Sequence, residues 1–348
     1  MVTMRQLADM AGVTIGTVSL ALRDHPRISA PTRQRIKELA EHYHYQPNRL
    51  TQGLISGKTN TIGCILPSVT CTFYARLLRG VLTQALATTY QVITLETGSQ
   101  LLKTCKAIDM LVGQRVDGIL VASEHYAPIP RESVQTMRHH GIVPISLDST
   151  LIEIPIDEVR TNEDELAEMA VGYLHTLGHR VIAYVGTMPG GRLYGRAQAM
   201  AHALQRRQLS TAYLVDTQTE HYANFDADAA FNRLLGRQRP PTAVIAWEDR
   251  IAAKLIQHAR RRGLRIPRDL SVFGCANLDV ADLLDPPLTS IEQNPEDMGR
   301  QAVSLAIKRI VEMQRDPKSP PESITIPLRI VERASCAPPA VYARVGQG

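Results

Sequence analysis

The chain has 348 residues, 44% apolar but only 5% aromatic, with a formal net charge of +5. That length argues for two or three domains, with Leu, Ile, Val and Ala filling their cores. No uninterrupted apolar run is long enough to span a membrane, MVTMRQLAD holds no signal-peptide core, and the five cysteines form no CxxC pair. Membrane spans, export, a disulfide frame and a zinc site are therefore not expected, and the cytoplasm is.

Residues 3–22, TMRQLADMAGVTIGTVSLAL, read as two short helices around a tight turn. Thr3 and Gln6 fit a capping box, Leu7, Ala8 and Ala11 form an apolar stripe, and Gly12 supplies the positive φ a sharp turn needs. In the second helix Val18, Ala21 and Leu22 face inward, which leaves Thr14, Ile15, Gly16, Thr17, Ser19 and Leu20 nearer the surface. A helix-turn-helix lays such a surface in the DNA major groove; an ordinary helical hairpin has the same pattern. A third helix follows at about 30–44, with Ser29 as its cap, Pro31 in its first turn and Ile36, Leu39, Ala40 and Tyr43 as its buried stripe. His42 and His44, two apart, point to different faces and make no metal pair. The first 58 residues hold eight Lys/Arg against four Asp/Glu, which is most of the net charge and suits a phosphate-binding headpiece.

Residues 46–60, QPNRLTQGLISGKTN, form a connector whose glycines and serine lower its helix propensity. Such a segment holds a helix only when something supports it. Its large apolar residue, Leu54, is either a foot on the next domain or a functional contact. From residue 61 apolar runs alternate with helical stretches. TIGCILP, YQVITLE, DGILVA and IVPISLD read as buried parallel strands, followed by a second series RVIAYVG, AYLVD, TAVIAW and LSVFG. Helices are expected near 74–89, 100–115, 131–140, 163–177, 194–208, 226–236 and 248–263, and one more after 293, before the strand-like SITIPLRIVER. The alternation predicts two doubly wound α/β lobes with a ligand cleft at the carboxyl ends of their strands. There is no GxGxxG, GxSxG or HExxH, and TMPGGR lacks the GK[ST] of a P-loop, so no catalytic motif, cofactor or metal site is expected.

Several stretches carry a family resemblance: TVSLAL (17–22), ISAPTRQRI (28–36), YQPNRLTQGL (45–54), RVDGILV (115–121), LGHRVIAYVG (177–186), GLRIPRDLSVFG (263–274) and LTSIEQNPEDMGRQAV (288–303). Together they resemble the LacI/GalR family of bacterial transcription regulators over essentially the whole chain. The resemblance implies a small all-α helix-turn-helix headpiece at 1–46, a hinge at 47–60 and a periplasmic-binding-protein-like core at 61–335. Within that core one subdomain takes about 61–161 and 293–325, the other about 162–292 and 326–335, and a tail covers 336–348. It implies a homodimer on a pseudo-palindromic double-stranded operator, controlled by a small, sugar-like effector.

For DNA, the resemblance points to Thr3, Arg5, Thr14, Ile15, Gly16, Thr17, Ser19, Leu20, Arg23, Arg27, Arg33, Tyr45, Asn48 and Leu54. The arginines, with Arg35, suit phosphates, and Thr17, Ser19, Tyr45 and Asn48 add neutral hydrogen bonds there. Leu54 takes the place of the wedge pushed into the minor groove. Leu20 stands where the family often has Arg, so direct readout leans on thymine methyls and DNA shape. For the effector, the matching positions are Phe73, Tyr74, Asp148, Arg196, Tyr222, Asp249 and Asn277, with Trp247 reshaping the pocket beside Glu248. Ala276 replaces a family Asp. Two rivals share the lobes: an enzyme, and a transport solute-binding protein, which would lack the basic headpiece.

Overall fold

A computed structural model describes residues 2–45, 58–98, 100–122, 128–148, 152–188, 192–217, 224–316 and 319–340, and the chain divides into two compact units, Met1–Asn60 and Thr61–Gly348. Asn48, Leu54 and Tyr222 lie outside the described residues, as does most of the expected hinge.

The first unit holds helices α1 (Met4–Ala11), α2 (Ile15–Leu22) and α3 (Ala30–His42). The capping box forms: Thr3 Oγ1 accepts from the Gln6 amide, and Gln6 Oε1 accepts from the Thr3 amide. Thr14 and Ser29 cap α2 and α3 by accepting from the amides of Thr17 and Thr32. All three helices close alike, on a left-handed residue (Gly12 at φ 63°, Asp24 at 57°, His44 at 48°). The next amide then bonds back to the carbonyl five residues earlier, Val13 to Ala8, His25 to Leu20 and Tyr45 to Ala40. The last closure corrects the expected stripe. The helix ends at His42 and its cap Tyr43 is 41% exposed, while Tyr45, after the left-handed His44, packs against the core of Leu7, Val18, Ala21 and Ile36.

The second unit is built on two six-stranded sheets. The first contains β1 (Thr61–Leu66), β2 (Gln91–Glu96), β3 (Gly118–Ala122), β4 (Val143–Leu147) and β5 (Asp157–Arg160), with α4 (Thr72–Leu86), α5 (Leu101–Gly113) and α6 (Arg131–His139) between them. The second contains β6 (Ile182–Gly186), β7 (Leu214–Asp216), β8 (Ala243–Ala246), β9 (Ser271–Cys275) and β10 (Thr289–Glu292). Its helices are α7 (Glu163–Thr176), α8 (Gly195–Arg206), α9 (Ala227–Leu235), α10 (Asp249–Arg261) and the short α11 (Val280–Leu283). A long α12 (Pro295–Arg315) then returns to the first lobe, where β11 (Ser323–Thr325) pairs with β5, and β12 (Arg329–Val331) ends on β10. The strand-like run SITIPLRIVER is thus shared between the sheets, divided at Ile326-Pro327-Leu328. The chain passes from sheet to sheet three times, after Arg160, after Glu292 and after Thr325.

The strand orders are β11-β5-β4-β3-β1-β2 and β12-β10-β9-β8-β6-β7, parallel throughout except for β12 against β10. In each sheet the first strand of the series is flanked by the second and third, so the order reverses there. That reversal opens a crevice beyond the carboxyl ends of β1 and β3 in one lobe and of β6 and β8 in the other, the places where open α/β sheets bind ligands. Helices cover both faces of each sheet. Apolar clusters around Leu77, Leu120 and Val303, and around Ile108, Ile119 and Val134, fill the first lobe. Clusters around Leu166, Tyr184 and Phe273, and around Phe231, Val244 and Leu255, fill the second.

The crossover helix α12 is held hard against α4 by two glycines. A Cβ at Gly80 would fall on the Glu296 carbonyl oxygen, and one at Gly299 on that of Leu77. Neither neighbour is a side chain that can swing away. Gly80→Ala is expected to destabilise this unit by about 2 kcal/mol, in the range of core overpacking. Urea unfolding checks this, and an unchanged midpoint would contradict the close approach.

Candidate functional site

The headpiece presents one face of α2. Thr14 and Gly16 are exposed, and Ile15 is 46% exposed although it is large and apolar. Leu20, Thr17 and Ser19 are half-buried beside them. Arg5, Arg23, Arg27 and Arg35 of the same unit are exposed, which suits phosphate contacts. Several polar groups, Arg23 among them, are also tied locally. Arg23 donates to the Ser19 hydroxyl at 2.6 Å and to its carbonyl at 3.1 Å. Arg33 Nη1 reaches the carbonyls of Asp24 and His25 at 3.3 and 3.5 Å, and Lys37 pairs with Asp24 at 2.6 Å, so both brace the α2–α3 loop. Thr3 serves α1 as its cap. Tyr45 is half-buried, and burial pushes its hydroxyl pKa up.

In the two-lobe unit the cleft positions lie on loops at the carboxyl ends of the strands. Phe73 and Tyr74 open α4 after β1, meet edge-to-face at 5.1 Å, and are only 8% and 3% exposed. They are not open aromatic platforms here: they share an apolar cluster with Ala276 and Leu278 from the turn after β9 in the other lobe. Asp148 follows β4 in left-handed backbone at φ 56°, its amide on the Val159 carbonyl.

Arg196 opens α8 after β6. Its guanidinium is bidentate to Glu163, with Nε at 2.7 Å and Nη2 at 2.9 Å, while Nη1 donates to the Trp247 carbonyl at 2.8 Å. Burial alone would depress the Arg196 pKa, but Glu163 more than reverses that, and the group stays charged. The arrangement holds a fixed cation at the β6/β8 switch point, with the partly buried Trp247 beside it. Next to them Glu248 pairs with Arg250 at 2.8 Å, and Arg250 Nη2 lies 3.2 Å from Cys71 Sγ of the first lobe.

Asp249 is fully buried and Asn277 half-buried, and both side chains are engaged in hydrogen bonds within the protein. Asp249 has no exposed surface; its oxygens accept from the Ser290 hydroxyl at 2.7 Å and the Leu278 amide at 2.6 Å. Asn277, left-handed at φ 46°, donates its amide to Ser290 and Nδ2 to Glu292, and its Oδ1 accepts from Arg333 at 2.8 Å. Arg76 of α4 reaches the Asn277 carbonyl at 3.2 Å and the Glu292 carboxylate at 3.3 Å. Both candidates therefore knit the 276–278 turn to β10, whose last residue Glu292 opens one of the inter-lobe crossovers, and Asn277 ties it also to Arg333 just after β12. A local reading of the sequence has no means of seeing this, because the partners lie far along the chain: Arg76 and Glu292 are 216 residues apart, Glu163 and Arg196 33 apart.

Burial raises the Asp249 pKa from 3.8 to about 7, against the lowering effect of its two hydrogen bonds. The folded state then holds a proton that the unfolded chain releases, so this stability is complete below about pH 4 and is lost as pH rises to about 7. Asp249→Asn is expected to flatten that fall. Thermal midpoints of the two proteins at pH 5 and 7.5 check it: the difference, variant minus parent, rises with pH, and a constant difference would contradict it.

Among the described residues no group of three or more His, Cys, Asp or Glu is placed to hold a metal, and no helix is long and apolar enough to cross a membrane. The sequence description "Bacterial regulatory proteins, lacI family" matches residues 3–48, and "Periplasmic binding protein-like domain" matches residues 171–336. Catabolite control protein A of Priestia megaterium is 30% identical over 311 residues, 88% of this chain and 92% of that protein. The HTH-type transcriptional repressor PurR of Vibrio vulnificus (strain CMCP6) is 28% identical over 322 residues, 91% of this chain and 94% of its own. Among solved structures, the lac repressor dimer bound to operator and the anti-inducer ONPF aligns with TM-score 0.81 at 21% identity, covering 97% of this chain and 99% of that one. The complex of the transcriptional regulator CelR with cellobiose aligns with TM-score 0.68 at 25% identity, covering 96% and 100%.

Proposed function

The chain belongs to the LacI family of bacterial regulatory proteins, DNA-binding transcriptional regulators under small-molecule control and not enzymes, and from that premise we propose how this member works. It acts in the cytoplasm as a homodimeric repressor on a pseudo-palindromic operator. The effector is a carbohydrate or related metabolite held between the two lobes.

The observation that carries the effector reading is the Glu163–Arg196–Trp247 group at the β6/β8 switch point. A charged fork and a carboxylate suit vicinal hydroxyls, and an indole face suits the C–H surface of a sugar ring. Related regulators support the ligand class, since one binds cellobiose and another, from Enterococcus faecium, holds ribose. Ala276 removes a carboxylate the family often has, so the effector differs from the usual set in what it hydrogen-bonds there. A thermal-shift screen against sugars, sugar phosphates and nucleobases tests the class, because a ligand that binds only the folded state stabilises by mass action. Hits confined to nucleobases would overturn the carbohydrate reading.

A further inference from the structure

The base-facing part of α2 has almost nothing with which to hydrogen-bond. Ile15, Gly16 and Leu20 carry no polar side-chain atom. The hydroxyls of Thr14 and Thr17 bond each other at 2.9 Å, and Thr14 also accepts from the Thr17 amide at 3.1 Å, which leaves the pair one hydroxyl proton for DNA. Ile15 stands 46% exposed at the first turn, and Gly16 beside it adds no Cβ to hold the helix off the groove floor. An exposed β-branched side chain on a headpiece whose Arg5, Arg23, Arg27 and Arg35 are also exposed is an apolar probe among groups that suit phosphates.

The apolar features of the major-groove edge are C5-methyl groups. We propose that this headpiece reads C5-methyls as such, so that 5-methylcytosine substitutes for thymine at the steps Ile15 and Leu20 touch, and the operator's occupancy responds to cytosine methylation there. The inference rests on the DNA-binding reading of α2, since it specifies what that surface recognises. Hydrogen-bond readout would distinguish T·A from 5-methylC·G, because their donors and acceptors differ; methyl readout treats them alike.

The test uses the full chain and a duplex selected by it from a random pool. At each contacted T·A pair four versions are compared: T·A, U·A, 5-methylC·G and C·G. The expected order places T·A and 5-methylC·G within about twofold of each other. U·A and C·G are each weaker by about fourfold per methyl, the ~0.8 kcal/mol that burying one carbon contributes. Ile15→Ala, at an exposed position whose loss does not unfold the helix, is expected to bring the T·A to U·A ratio near one at its step. Equal binding of U·A and T·A, or half-sites selected with no thymine at these steps, would overturn the methyl inference while leaving DNA recognition intact. Failure to select any duplex would overturn the DNA-binding reading of α2 and this inference with it.

Discussion

Arg196→Ala is expected to lower the thermal midpoint of the two-lobe unit by about 5–10 °C and to abolish stabilisation by any carbohydrate that stabilises the parent protein. The side chains of Arg196 and Glu163 are 14% and 16% exposed, so both are largely withdrawn from water. Removing the arginine strands a carboxylate and leaves the Trp247 carbonyl without this donor. Breaking a buried pair from one side costs about 3–5 kcal/mol, and a unit as large as this one loses roughly 2 °C per kcal/mol. The double variant Arg196→Met with Glu163→Gln separates the two roles. It is expected to recover most of the stability, because no charge is left unpaired, but none of the ligand response. Differential scanning calorimetry with and without the ligand reads both. Full stability in Arg196→Ala would show that the pair does not carry the switch-point architecture.

Leu54→Ala is expected to weaken specific operator binding by about 100-fold while leaving the ligand-induced thermal shift of the two-lobe unit unchanged. The expected loss rests on the proposal, implied by the family likeness of YQPNRLTQGL, that Leu54 is a wedge that unstacks a central base step; such a step costs a few kcal/mol that an inserted apolar side chain offsets. Binding to non-specific DNA depends on phosphate contacts and is expected to fall little. Fluorescence anisotropy on specific and scrambled duplexes distinguishes the outcomes; an equal loss on both would make Leu54 a packing foot for the lobes.

Hydrophobic periodicity reveals the elements and far less of the wiring between them. Strands such as GILVA and IAYVG are buried on both faces, so their apolar runs stand out. The strand DEVR does not: it lies next to β11 at the edge of its sheet, and its buried Asp157 is a polar anchor for Arg309 at 3.0 Å. The helical count that puts Tyr43 in the buried stripe runs past the helix end at His42, and it is Tyr45, after the left-handed His44, that reaches the core. In the cleft, position along the chain does not say which way a side chain points. Asp249 and Asn277 look like ligand residues by position. What holds their side chains is Ser290 and Glu292 of β10 and Arg333 after β12, which no local pattern links to them. Ala276, at φ 92°, stands in the same turn, and its backbone is held by the Ile291 carbonyl.

The central claim is that the headpiece and the cleft belong to one regulated DNA switch. The most direct measurement is operator affinity of the full chain with and without a ligand from the thermal-shift screen, paired with ligand affinity with and without the operator. The account predicts that each changes the other by the same factor, at least about fivefold, since allosteric coupling is reciprocal and typically 1–3 kcal/mol. A ligand that binds the lobes tightly yet leaves operator affinity unchanged, with operator equally without effect on it, would contradict the account.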